Sequence, residues 1–135
     1  MAKKNAEANY SATITESSRE LTAKEKVMYK DLANAVNIND FAQAEIEAGQ
    51  KAIIKVVDYA VIAIHNEASE DVDYNNYLLI DNEGNKFYTG STPFWNKFMD
   101  IYKEMKGSDE DWAIEVTTIP SKKYAGKTAL SCSLI

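Results

Sequence analysis

The chain has 135 residues, a formal charge of −6 and a sequence pI near 4.8, and its length fits one domain. Hydrophobic residues make up 45% of it, enough for a core, yet no apolar run approaches the roughly 18 residues of a membrane span. The acidic balance argues against a protein held on duplex DNA mainly by charge, but not against single-strand binding, where aromatic stacking supplies much of the energy and only a local groove must be basic.

The start, Met1-Ala2-Lys3-Lys4-Asn5, runs into Ala, Glu and Asn without the apolar stretch of a secretory signal. The single cysteine, Cys132, has no partner for an internal disulfide, and both features point to a cytoplasmic protein. Residues 1–20 are rich in Ala, Ser, Thr, Asn and Glu without a sustained period and read as a flexible arm, in which Tyr10 and Ile14 could dock. Thr22-Ala23-Lys24-Glu25 fits a capping box at a helix start. Met28, Leu32 and Val36 then fall on one helical face, so the helix is expected to end near Asn37. Asn39–Gly49 fits a short helix capped by Asn39 or Asp40 and closed by Gly49, although Glu45-Ile46-Glu47 could instead open a strand.

From Lys51 onward the period changes in a telling order. Ala52–His65 reads as a long strand, Tyr74–Asp81 as a second and Lys86–Gly90 as a third. Lys55, Val57, Tyr59, Val61 and His65 share one face of the long strand. Ile54, Val56, Ala60, Ile62 and Ile64 share the other and read as core, and a bulge near Asp58 would explain a charge there. Asp81-Asn82-Glu83-Gly84-Asn85 is a short hairpin loop. Thr92-Pro93 starts a helix with a hydroxyl cap and a proline at the first position, and Phe94, Phe98, Ile101 and Met105 give it an apolar stripe. Ala113–Pro120 and Thr128–Ile135 close the chain as two strands.

A helix between the third and fourth of five strands is the order of the oligonucleotide/oligosaccharide-binding barrel, the OB-fold. The expected architecture is therefore a single mainly β domain over residues 21–135, in which an N-terminal helix precedes a five-stranded barrel of order β-β-β-α-β-β. An unpaired last strand could close its own barrel or join another copy's sheet, so monomer and homodimer are both open.

Catalytic chemistry finds little support. One histidine, His65, and one cysteine stand far apart, so neither a metal set nor a Ser-His-Asp set can be assembled. Cys132 falls on the core face of its strand, His65 at a strand end, where it would be exposed or stacked. The acidic loops lack calcium-loop spacing, and no glycine-rich phosphate loop is present. No enzyme, metal or cofactor is expected. By contrast, Ser121-Lys122-Lys123-Tyr124-Ala125-Gly126-Lys127 sets ammonium groups around one tyrosine between the last two strands. It reads either as a soluble hairpin tip or as a grip in which a base stacks on Tyr124 while Lys122, Lys123 and Lys127 follow the phosphates. Tyr59, Tyr77 and Tyr88 belong to the first three strands, and their outer surface would be the stacking platform. Tyr59 shares a face with Lys55, and Tyr88 shares one with Lys86.

These features together resemble the small single-stranded DNA-binding proteins of bacteriophages that infect low-GC Gram-positive bacteria. The resemblance covers roughly residues 38–135. It rests on Tyr77-Leu78-Leu79-Ile80-Asp81-Asn82-Glu83-Gly84-Asn85-Lys86-Phe87-Tyr88-Thr89-Gly90-Ser91, on the apolar helix, on Ile114-Glu115-Val116-Thr117-Thr118-Ile119, and on Lys122-Lys123-Tyr124-Ala125-Gly126-Lys127-Thr128-Ala129-Leu130. It implies an OB-fold protein that coats single-stranded DNA in phage replication or recombination without catalysis, in contact with phage or host replication and recombination proteins. Stacking would fall on Tyr59, Tyr77 and Tyr88. Phosphate contacts would fall on Lys55, Lys86 and the Lys122–Lys127 hairpin. The rival reading is an acidic protein-interaction module on the same fold, such as a phage factor that binds a host protein.

Overall fold

The computed structural model describes residues 9–120 and 128–135. In chain order these form β1 (Tyr10–Ser17), α1 (Ala23–Lys30), β2 (Val36–Asn37), α2 (Ile38–Glu47), β3 (Ala52–Ile54), β4 (Val56–Asn66), β5 (Asp73–Asp81), β6 (Lys86–Thr89), α3 (Thr92–Met105), β7 (Ile114–Pro120) and β8 (Thr128–Leu134). The strands make two sheets, of order β1-β4-β5-β6-β2 and β3-β7-β8.

The long apolar run bridges the sheets. Its first part, β3, pairs antiparallel with β7, with Ala52 opposite Val116 and Ile54 opposite Ile114. After Lys55 it continues as β4, antiparallel to both β1 and β5. The register against β5 slips between Val56 and Asp58, so a bulge lies where the charge of Asp58 interrupts the apolar face. The strands, the second helix and the apolar helix stand close to their sequence positions, and Gly49 ends α2 at φ 75°.

Three expectations are corrected. The barrel is not closed: among the described residues β6 and β8 share no ladder, and the place beside β6 is taken by β2, parallel, with Val36 opposite Phe87. Helix α2 follows β2 directly and seats Phe41 on Phe87 with ring centres 5.0 Å apart, against the core. The first described element is also a strand rather than a helix. Residues 10–17, expected in a flexible arm, pair with β4 from Tyr10 opposite Asn66 to Ser17 opposite Ala60. Finally, α1 ends at Lys30 rather than near Asn37, because Val36 and Asn37 join β6 instead.

The cap of α1 is formed as its sequence requires. Glu25 N–H donates to Thr22 Oγ1 at 3.1 Å, and Thr22 N–H donates to Glu25 Oε1 at 3.0 Å. Thr22→Ala should therefore cost about 1 kcal/mol, read as a lower urea midpoint; an unchanged midpoint would show that the cap does not secure this segment. At α3 the capping side chain is Ser91, one residue before the expected Thr92, and it accepts from Phe94 N–H at 3.2 Å.

Sheet β1-β4-β5-β6-β2 is covered on both faces. Its inner face packs on α3 and the second sheet, with Phe94, Phe98, Leu79 and Ile114 fully buried. On the outer face Ala60, Ile62, Leu78 and Ile80 form a second cluster under Leu21 and Tyr29 of the α1 segment.

Candidate nucleic-acid interface

Residues opposite one another in a ladder share a face of the sheet, and this decides where the tyrosines point. Tyr59 is opposite Leu79, and Tyr77 is opposite Val61 and Thr89. These belong to the inner face. Tyr88 is opposite Leu78 and lies on the outer one. The expected platform of Tyr59, Tyr77 and Tyr88 is thus corrected. Tyr59 and Tyr77 are each only 6% exposed, and no base can reach their rings.

Their burial has a clear chemical role. The Tyr59 ring stands edge-on to Trp95 and Tyr102, at centroid distances of 5.4 and 4.9 Å. Its hydroxyl donates to Glu16 Oε2 at 2.9 Å, and burial, with Glu16 second, pushes its pKa up to about 12. Tyr77 stacks on Trp95 at 4.8 Å and 14°, with its hydroxyl 3.2 Å from Thr92 Oγ1. Edge-to-face and offset-stacked pairs of this kind suit the quadrupoles of the rings. The aromatic set therefore ties the sheet to α3.

Tyr88 is half-buried on the outer face, and Tyr74 lies on that same face, also half-buried. Tyr74 was missed from sequence, although its even spacing from Leu78 along β5 places it there by the two-residue period of a strand. Between them Asn76 stands opposite Ile62. Tyr74, Asn76 and Tyr88 form a half-buried strip, with both rings packed against the edge of the outer-face cluster.

Two of the expected lysines are engaged within the protein. Lys55 pairs with Asp111 and holds that carboxyl below its ordinary range. Lys86 Nζ donates to the carbonyls of Met28 at 2.8 Å and Asp31 at 2.6 Å, at the end of α1, a favourable place for a cation. Lys122, Lys123, Tyr124 and Lys127 lie outside the described residues. The described strands bracket them, with Ile119 opposite Ala129 and Pro120 opposite Thr128. Near this end a groove of about 330 Å³ runs between α2 and the β7–β8 ladder, lined by Asn39, Gln43, Ile46 and Glu47 on one side and Thr118 and Leu130 on the other.

The opposite end of the β4–β5 hairpin is acidic. His65, at the end of β4, lies between Asp73 Oδ1 at 2.7 Å from Nδ1 and Glu67 Oε2 at 3.1 Å from Nε2. The carboxylates sit on opposite ring nitrogens and do not converge on one point. Among the described residues no group of three metal-ligating side chains is found. The Asp73 and Glu67 hydrogen bonds raise the His65 pKa above its ordinary 6.5. A raised imidazole pKa gives stability that is complete below that ordinary value and lost as pH rises through the folded value. Glu67 works in the other direction: held below its ordinary 4.5 chiefly by His65, it contributes above that pH and loses the contribution under acid. The melting-temperature advantage of the wild type over His65→Asn should thus shrink as pH rises from about 6 to about 9; an advantage that is constant over this range would contradict the clasp.

Cys132 is fully buried, and desolvation pushes its thiol up to about 11, away from nucleophilic use. No helix among the described residues is long and apolar enough to cross a membrane. Comparison of the chain with protein-family models, curated proteins and solved structures finds no match.

Proposed function

We propose that the protein is a non-catalytic, sequence-tolerant binder of single-stranded DNA that protects the strand during replication or recombination of a phage or mobile element. The observation that carries this reading is the pairing scheme. A single long run, Ala52–Asn66, belongs to both sheets, followed by β5 and β6, then α3, then β7 and β8. On this reading that order corresponds to the strands and helix of a partly open OB-fold barrel, to which β1, β2 and α2 are additions.

In such a barrel the ligand lies on the second and third strands and against the loops after the first and fourth. Here these are the outer face of β5 and β6, the acidic stretch between β4 and β5, and the basic segment between β7 and β8. Exposed Glu67, Glu70, Asp71 and Asp73 repel phosphate at one end. Lys122, Lys123 and Lys127 attract it at the other. The DNA path on this reading starts at the basic segment and runs toward Tyr88 and Tyr74, with Lys55, Tyr59 and Tyr77 removed from the contact set.

One observation favours a second reading, an acidic module that binds a basic protein. Lys55 is neutralised by Asp111, while the acids of residues 67–73 stay largely exposed. A gel shift with a long oligo-dT, at micromolar protein and low salt, separates the two. Retardation of oligo-dT with little retardation of duplex supports the first reading; no retardation of oligo-dT transfers the proposal to the second.

A further inference from the structure

We infer that α1 is a displaceable strap over the outer sheet face, and that single-stranded DNA and α1 compete for that face and for Lys86. The inference rests on the reading proposed above and assigns the protein a closed and an open form.

The strap is weakly built for a structural element. It has eight residues, a length at which an isolated helix is marginal in water. Within the helix Tyr29 alone is buried, while Val27 and Met28 are 66% and 55% exposed. Few buried contacts and an exposed backbone mark segments that open locally ahead of the rest of a protein.

Beside the packing of Leu21 and Tyr29, polar fastenings lie at both ends. At the start, Arg19 joins Glu25 at 2.6 Å and Asp58 at 3.4 Å. Ser18 Oγ donates to Asp58 Oδ1 at 3.0 Å. At the finish, Lys86 Nζ holds the Met28 and Asp31 carbonyls, and Lys30 Nζ donates to the Ala12 carbonyl at 3.1 Å. Solvent-accessible ion pairs of this type each contribute little. Beneath the strap lie Leu78 and Ile80, with Tyr88 beside them on the neighbouring strand. A phosphate offers an ammonium group an opposite charge as well as acceptor oxygens, which a neutral carbonyl does not. When a strand arrives, Lys86 exchanges its carbonyl partners for phosphate oxygen, α1 loses its C-terminal fastening, and the strip from Tyr74 through Tyr88 widens over Leu78 and Ile80. In the absence of DNA the closed form covers this apolar surface.

Competition has a quantitative consequence: the apparent dissociation constant equals the intrinsic one divided by the open fraction. Glu25→Ala removes both the capping-box carboxylate and the Arg19 pair, so it raises the open fraction. Glu20→Ala removes the same charge from a neighbouring exposed position and reports the electrostatic effect alone. Hydrogen exchange of the wild-type protein with and without saturating oligo-dT provides a readout independent of any variant. The expected results are faster exchange of residues 23–31 when oligo-dT is bound, and binding by Glu25→Ala that is about threefold or more tighter than by Glu20→Ala. Slower or unchanged exchange of residues 23–31, or equal affinities of the two variants, overturns the strap while leaving DNA binding in place. Absence of oligo-dT binding by all three proteins overturns the strap together with the proposed function.

Discussion

Replacing Lys122, Lys123 and Tyr124 together by alanine is expected to weaken oligo-dT binding by more than about tenfold while the fold is kept. The size follows from the two kinds of contact removed. A base stacked on an aromatic ring contributes about 1–3 kcal/mol, so loss of the Tyr124 ring alone accounts for about tenfold. Loss of two phosphate-neutralising lysines should also lower the slope of log affinity against log salt by about 1.4, at about 0.7 per contact on single strands. The segment joins β7 to β8 in the chain, and the fold is monitored in parallel by the far-ultraviolet spectrum and melting temperature, which are expected to be nearly unchanged. An anisotropy titration at several salt concentrations reads both quantities. Equal affinity and an equal salt slope would remove this segment from the interface.

A second substitution should act on stability instead. Phe98 is fully buried, with ring centres 5.1 Å from Trp95, 5.8 Å from Tyr102 and 6.2 Å from Tyr59. It stands where α3, β4 and the rest of the aromatic set meet. Phe98→Ala removes the ring and leaves a cavity whose neighbours are themselves rigid rings, so collapse is limited; the expected cost is about 3–5 kcal/mol. Against a total stability of about 5–15 kcal/mol for a domain, that is a large part of the whole. Urea unfolding followed by tryptophan fluorescence measures it. A cost below about 1 kcal/mol would mean that α3 does not seat in the core as described.

The elements from β3 to β8 were legible in the sequence because each carries an unambiguous period or a strong boundary. The run from Ala52 to Ile64 is β-branched and unbroken, Gly84 marks a turn, and Phe94, Phe98, Ile101 and Met105 repeat at helical spacing. β1 was not legible. Tyr10–Ser17 holds two apolar residues packed on the outer-face cluster, Ala12 and Ile14, among exposed Thr and Ser, and so short an alternation reads equally well as a flexible arm. Only the exposed edge of β4 makes it a strand. β2 was beyond reach for a similar reason, since two residues carry no period, yet they take the place beside β6 at the end of the sheet.

The candidate site was less legible than the fold. Period establishes which residues share a face, but not which face is covered. The long run is apolar on both sides because both sides of its sheet are buried, and Tyr59 fell on the inner one. Its hydroxyl is satisfied by Glu16 of β1, an element the sequence did not disclose. The lysines were misjudged through remote partners. Lys55 meets Asp111 and Lys86 meets the end of α1, each more than fifty positions away, and no local pattern announces such a pairing.

The most direct test is a map of amide chemical shifts in isotope-labelled protein titrated with oligo-dT. The account predicts shifts concentrated in residues 121–127, in the outer-face positions Tyr74, Asn76 and Tyr88, and in α1, with the acidic stretch of residues 67–73 little affected. Shifts centred on residues 67–73, or a spectrum that does not change at saturating oligo-dT, would contradict it.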